Sequence, residues 1–205
     1  GYGKDWPVSY GDIEPYYDRL EALMGVNGSN DDIWNSPSPN SATRQEPPTP
    51  RAYEMLFAKA CKALKRPVVA NPTAILTQPV GDRAACFYAT HCSRGCAIDA
   101  AFQSSTGFIK PALQTGNLTL ITHAQVHQIT TGANGMATGA RYIDKQTGEP
   151  KTVTAKYVVL AASAMESCRI LLNSKTRQSP QGLANSSGLV GRNITDTHVC
   201  WWRVQ

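Results

Sequence analysis

Between Tyr157 and Asn173 the chain reads Tyr-Val-Val-Leu-Ala-Ala-Ser-Ala-Met-Glu-Ser-Cys-Arg-Ile-Leu-Leu-Asn, and no other stretch restricts the fold as much. It begins as a continuous apolar run, the pattern of a strand buried on both faces. After Ser163 the apolar residues Met165, Ile170 and Leu171 follow a helical spacing. Ser163 and Glu166 stand in the S-x-x-E order of a capping box. A buried strand running into a capped helix predicts an α/β protein. Ligands of such sheets lie outside the carboxyl ends of the strands, and a helix start favours anions. Many α/β proteins share this junction, so it speaks to fold class rather than to function.

Cys86, Cys92 and Cys96 place half of the six cysteines in one short stretch, with the spacing C-x5-C-x3-C. Thiols that dense are usually metal ligands or a disulfide framework. A framework of disulfides belongs mainly to small secreted domains, and 205 residues are enough to bury a core without staples. A structural zinc site prefers four ligands and C-x2-C pairs, which this stretch lacks. Three thiolates on one loop suit an iron–sulfur cluster with an incomplete cysteine set. A disulfide with one free thiol, or three buried thiols, are the plainer readings. His91, between two of the cysteines, is a candidate ligand or hydrogen-bond partner of such a cluster. Arg83 and Arg94 are placed to offset its negative charge.

The rest of the chain reads as a globular protein, with 41% apolar and 17% charged residues. The net charge of +5 is scattered, only Lys62 to Arg66 clustering, so no basic patch points to nucleic acid. No apolar run is long enough to span a membrane. A first helix carries Tyr16, Leu20, Leu23 and Met24 on one face, with Gly25 as its stop signal. A polar linker from Asn27 to Pro50 holds too little apolar surface to pack by itself. A second helix, Ala52 to Lys65, sets Leu56, Ala60, Ala63 and Leu64 on one face and is expected to bury Cys61. Residues 67–116 read as loop. Residues 117–162 read as antiparallel strands ending in the buried one, with turns at Ala133-Asn-Gly135 and Lys145-Gln-Thr-Gly148.

His123 and His127 are four apart, on one face of a strand, where two imidazoles can share a metal or simply face solvent. Cys168, on the helix after the capping box, is expected in the core. No serine sits in a G-x-S-x-G elbow, so no Ser/His/Asp arrangement is drawn.

Several segments in order resemble the glucose–methanol–choline (GMC) flavoprotein oxidoreductases, most of all the flavoprotein subunits of bacterial gluconate and glucose dehydrogenases. They are Asp5-Trp-Pro-Val-Ser-Tyr-Gly-Asp-Ile-Glu-Pro-Tyr-Tyr-Asp18, Cys92-Ser-Arg-Gly-Cys96 with Gln103-Ser-Ser105 and Lys110-Pro-Ala-Leu113, Asn117-Leu-Thr-Leu120 with Val126-His-Gln-Ile129, Val158-Val-Leu-Ala-Ala-Ser-Ala164 with Glu166-Ser167, and Leu183 to Asn193.

The resemblance implies an α/β fold (α+β within this stretch): part of a Rossmann-like FAD-binding domain with an antiparallel meander, and part of a substrate domain. It implies substrate-side helices and linker at 1–66, a cysteine loop and flavin-covering segment at 67–116, FAD-binding residues at 117–175 and a return toward the substrate domain at 176–205. Val126 would lie beside the adenine, and Ala161, Ala162 and Ser163 near the pyrophosphate or ribitol. Cys86, Cys92 and Cys96 would be the ligands of a [3Fe–4S] cluster relaying electrons to a cytochrome c-type acceptor. With no cluster, a quinone or oxygen would serve.

The substrate class implied is a sugar, sugar acid or alcohol. An accessory subunit and a periplasmic or membrane-associated setting through partner subunits also follow from the likeness. The family's G-x-G-x-x-G turn and its catalytic histidine have no counterpart here. By the likeness that histidine lies beyond residue 205; His198, which stands in a shifted register where relatives carry Asp-His after a Gly-Arg-Asn stretch, is a candidate to line the active site from the substrate side or an exposed loop histidine. With Gly1 at one end and Gln205 at the other, the expectation is an internal fragment of a longer enzyme. The reading from another class is a non-catalytic binding module with a zinc or disulfide knuckle.

Overall fold

A computed structural model describes residues 5–31, 33, 42–88 and 92–196. The chain divides into two compact units, residues 1–119 and 120–205.

In the first unit, helix α1 spans Tyr10–Met24. Its start is set by Asp12, whose carboxylate accepts from the Ser9 amide at 2.8 Å and from the Ser9 hydroxyl at 2.7 Å. Those bonds hold Asp12 below the ordinary carboxylate range. It ends at Gly25, where φ is +74° and a Cβ would overlap the Leu76 side chain, so glycine is required twice over. Helix α2 spans Ala52–Ala63 and starts in the same way, the Arg51 amide donating to Glu54 at 2.6 Å. A π-helical turn at Ser105–Ile109 runs into α3, Lys110–Gln114. Helical structure there was not foreseen in the segment read as loop.

The core of this unit is not where the helix periodicity puts it. Leu20, Leu23, Leu56 and Leu64 are all exposed, and neither α1 nor α2 buries a residue. Cys61 is half-buried rather than buried. The buried residues are Val26, Leu76 and Ala100, together with the polar Asn27 and Arg83. They knit irregular chain together. Asn27 exchanges backbone hydrogen bonds with Thr73, both at 2.9 Å, and its side chain donates to the Ile75 carbonyl. Leu76 donates to Ala100 at 2.9 Å and accepts from Cys86 at 2.8 Å. The polar linker is therefore pinned at Asn27 and at Gln45, whose amide donates to Val26 at 2.8 Å. A buried backbone group needs a partner, and strand-like pairs of one or two residues supply it here.

The second unit is a three-stranded antiparallel sheet in the order β1-β2-β3, formed by Ala124–Thr131, Ala137–Asp144 and Pro150–Thr154. Both expected turns join its strands, and Gly135 has the positive φ of +77° that such a turn needs. Gly139 lies under β3, and a Cβ there would sit 2.0 Å from the Val153 carbonyl oxygen. Helix α4, Ala164–Asn173, packs on β1 through Ile170, which is 2% exposed, against Ile129 at 6%.

Several expectations are corrected between residues 117 and 173. Tyr157–Ala162 forms no strand; Tyr157 and Val159 are 79% and 88% exposed. A strand is made by its neighbours, and this segment pairs with none of the three strands. Asn117–Leu120 likewise forms no strand. The capping box at the start of α4 is absent: the Ser163 side chain makes no cap hydrogen bond, and Glu166 turns to Arg169 instead. Met165 is exposed, and Cys168 is half-buried rather than core.

Candidate functional site

The residues singled out at the head of α4 meet β1 at one cavity of about 530 Å³. Val126 and Ala162 both line it, with His123, Lys145, Glu166 and Arg169. Ala161 and Ser163 flank Ala162 in the chain and are exposed, without lining the cavity. Ser163 has φ +68° and ψ 168°, a conformation nearly reserved for glycine. The preceding amide, Ala162 N–H, donates to the Ser167 hydroxyl at 3.2 Å. The turn into the helix is thus held by Ser167, one residue beyond the expected capping partner.

Two of the cavity's charged groups are paired with each other. Arg169 donates through Nε to Glu166 at 2.8 Å and through Nη2 to the Val126 carbonyl at 3.2 Å. Arg169 holds the Glu166 carboxyl below its ordinary range. Lys145 adds a further positive charge to the lining. His123 lies just before β1 at φ +55°, and His127 sits where the register of β1 with β2 shifts between Val126 and Gln128. The shift breaks the alternation that would have set the two imidazoles on one face. Among the described residues, no group of three His, Cys, Asp or Glu is arranged to hold a metal ion.

In the first unit Cys86, Cys92 and Cys96 line one small cavity of about 60 Å³, walled also by Ile75, Ile98 and Ala101. All three are free thiols, as are Cys61 and Cys168, so the disulfide reading finds no bond among the described residues. The amide of Ala101, with those of Ile98 and Ala100, holds the Cys96 thiol below its ordinary range. The Tyr88 amide donates to the Cys86 sulfur at 3.3 Å. Arg83 is buried nearby: Nε donates to the Asp99 carbonyl at 3.0 Å and Nη1 to the Met24 carbonyl at 3.0 Å. Its guanidinium lies 5.3 Å from the centre of the Phe102 ring. Burial lowers its pKa, while Asp99 and Cys96 pull it back up. Arg94 is exposed. His91 and His198 lie outside the described residues.

Sequence reasoning missed Arg169 and Ser174. Opposite charges three apart on a helix were a readable signal for the first. Nothing in the sequence pointed to Ser174, whose partners on β1 are remote in the chain.

The chain is 37% identical over 197 residues to the 2-methyl-1,2-propanediol dehydrogenase of Mycolicibacterium austroafricanum, covering 93% of this chain and 34% of that protein. It is 31% identical to the fructose dehydrogenase large subunit of Gluconobacter japonicus, covering 96% of this chain and 36% of that one. For the gluconate 2-dehydrogenase flavoprotein of Pantoea cypripedii the identity is 28%, over 96% of this chain and 35% of that protein. The chain therefore spans about a third of the length of the curated relatives it matches. A family profile described as GMC oxidoreductase matches residues 4–200. With that profile covering nearly every residue and relatives aligned over more than nine-tenths of this chain, the chain belongs to the GMC oxidoreductase family.

Proposed function

We propose that this chain forms one wall of an FAD site, in an oxidoreductase that acts on CH–OH groups of an alcohol, sugar or sugar acid. The observation that carries the reading is the single cavity lined by both Val126 and Ala162. Its volume of about 530 Å³, with the small Ala124 and Ala162 in the lining, suits the adenine half of a dinucleotide. Lys145 and Arg169, against Glu166 alone, leave the lining net positive, as a diphosphate requires. When bound, FAD supplies the hydride acceptor that no side chain can provide. The chain's own residues bind and orient: Ala162 leaves room for backbone to approach the cofactor, and Val126 offers its main chain from β1. The printed names of the relatives span a diol, a ketose and a sugar acid. The substrate class here is drawn no more narrowly than that.

The electron acceptor belongs to the same proposal. The three cysteines share a cavity, yet as arranged they do not fit a metal or cluster, so no electron-transfer step is routed through one. With no cluster bound, a quinone or oxygen would serve as the acceptor. The relatives' subunit names support assembly with an accessory subunit. No described helix is long and apolar enough to cross a membrane.

The test is FAD retention. In full-length enzyme, Ala162→Phe should yield protein without flavin absorbance. A full flavin complement in that variant would remove Ala162 from the cofactor wall. Iron and sulfide analysis of anaerobically purified enzyme decides the acceptor reading, and about three irons per chain would overturn it in favour of a [3Fe–4S] relay.

A further inference from the structure

Helix α4 holds β1 by two polar clamps, one on each side of the register shift. On one side Arg169 reaches the Val126 carbonyl at 3.2 Å while gripping Glu166. On the other, the Ile129 amide donates to the Ser174 hydroxyl at 2.8 Å, and that hydroxyl donates to the Ile170 carbonyl at 2.6 Å. Val126 and Ile129 are three apart, whereas backbone groups on the same edge of a regular antiparallel strand recur every two residues. His127, without a partner in β2, is the extra residue that brings both to the edge facing α4.

The two clamps differ in setting. Ser174 is fully buried and belongs to the packing of the unit. The side chain of Arg169 is 37% exposed, and it lines the cavity together with Val126, Ala162 and Glu166. A surface ion pair three apart on a helix adds little to stability. A guanidinium that ties a helix carboxylate to a strand carbonyl across a cavity instead sets how far that strand edge stands from the helix.

We propose that Arg169 is the positioning residue of the adenine wall, holding the bulged edge of β1 at the distance from α4 that accepts the adenosine half of the cofactor. This rests on the FAD reading above. Loss of the clamp leaves the Val126 carbonyl free to turn, and the cost falls on the adenine end alone. FMN, which lacks that end, is indifferent to it.

The experiment uses full-length enzyme stripped of flavin and titrated by flavin fluorescence with FAD and with FMN, ADP serving as competitor. Wild type should bind FAD more tightly than FMN and be displaced by ADP. Arg169→Met should weaken FAD about tenfold, the scale of one lost charge-assisted hydrogen bond, with FMN unchanged. Arg169→Lys should recover part of the loss, and Ser174→Ala should lower the melting temperature without changing the FAD-to-FMN ratio. If Arg169→Met keeps the wild-type ratio, the positioning role is wrong and the FAD wall stands. If Arg169→Met does not fold, the Arg169→Lys ratio decides: unchanged from wild type, it overturns the role. If wild type shows no preference for FAD over FMN and no displacement by ADP, the FAD wall itself fails and the role fails with it.

Discussion

The two units of this chain solve the same problem by different means. In residues 120–196 the backbone pairs with itself over a sheet, and side chains such as Ser174 only finish the edge. Among the described residues of 5–119 there is no ladder longer than an isolated bridge, and Asn27, Gln45 and Arg83 supply the bonds that strands would have made. A ladder spreads its stability over many interchangeable bonds. A knot of side chains concentrates it in a few residues that have no substitute. The first unit should therefore be the more fragile to single mutations and the second the more tolerant.

Arg83→Ala is the severest way to test that contrast. It frees the half-buried Met24 and Asp99 carbonyls and should destabilise by about 3 kcal/mol. By hydrogen exchange, protection should fall around Met24–Asn27 and Asp99–Ala101 while β1 to β3 keep theirs. Equal loss in the sheet would show that the units do not differ in this way. Ser174→Ala, the matching change in the second unit, orphans the buried Ile129 amide and should cost about 2 kcal/mol in urea denaturation. Should it cost more than Arg83→Ala, the ranking of the two units reverses.

Ser163→Gly runs in the opposite direction. Relief of a backbone conformation that suits glycine should stabilise by about 1 kcal/mol, read as a raised melting temperature. A fall would mean that Ser163 earns its conformation through contacts. The smallest effect concerns Asp144, at the end of β2. Lys151, donating at 2.6 Å, and the Gln146 amide hold its carboxyl below the ordinary range. A folded pKa below the unfolded one gives stability that is present above the unfolded value and lost as pH falls through the folded one. Asp144→Asn should therefore lower stability slightly at neutral pH, leave it unchanged in acid where the carboxyl is already protonated, and flatten the acid limb by that amount. An unaltered acid limb would place the acid sensitivity elsewhere.

What was legible in the sequence follows the same division. The turns at Ala133–Gly135 and Lys145–Gly148 and the helix stop at Gly25 are local chemistry, and each stands where the residues put it. Tyr157–Ala162 misled because an apolar run reports what a segment could bury and not whether partners are at hand. Leu20, Leu23 and Leu56 misled for the same reason: periodicity predicts a helix with an apolar face but does not supply what covers it. At the candidate site, Val126 and Ala162, named through family likeness, line one cavity. Arg169 was hidden because its second partner lies 43 positions away, and no window along the chain holds both.

The unpaired residue in β1 bears on how this stretch can change over generations. No ladder partner in β2 fixes the residue at 127, though its side chain is half-buried. Its removal is another matter. Taking out one residue there would return the strand to strict alternation and turn every side chain on one flank to the opposite face. Descendants of this sequence are free in spelling at that position but bound in length, and a deletion scan should find there a gap that is lethal beside letters that are interchangeable.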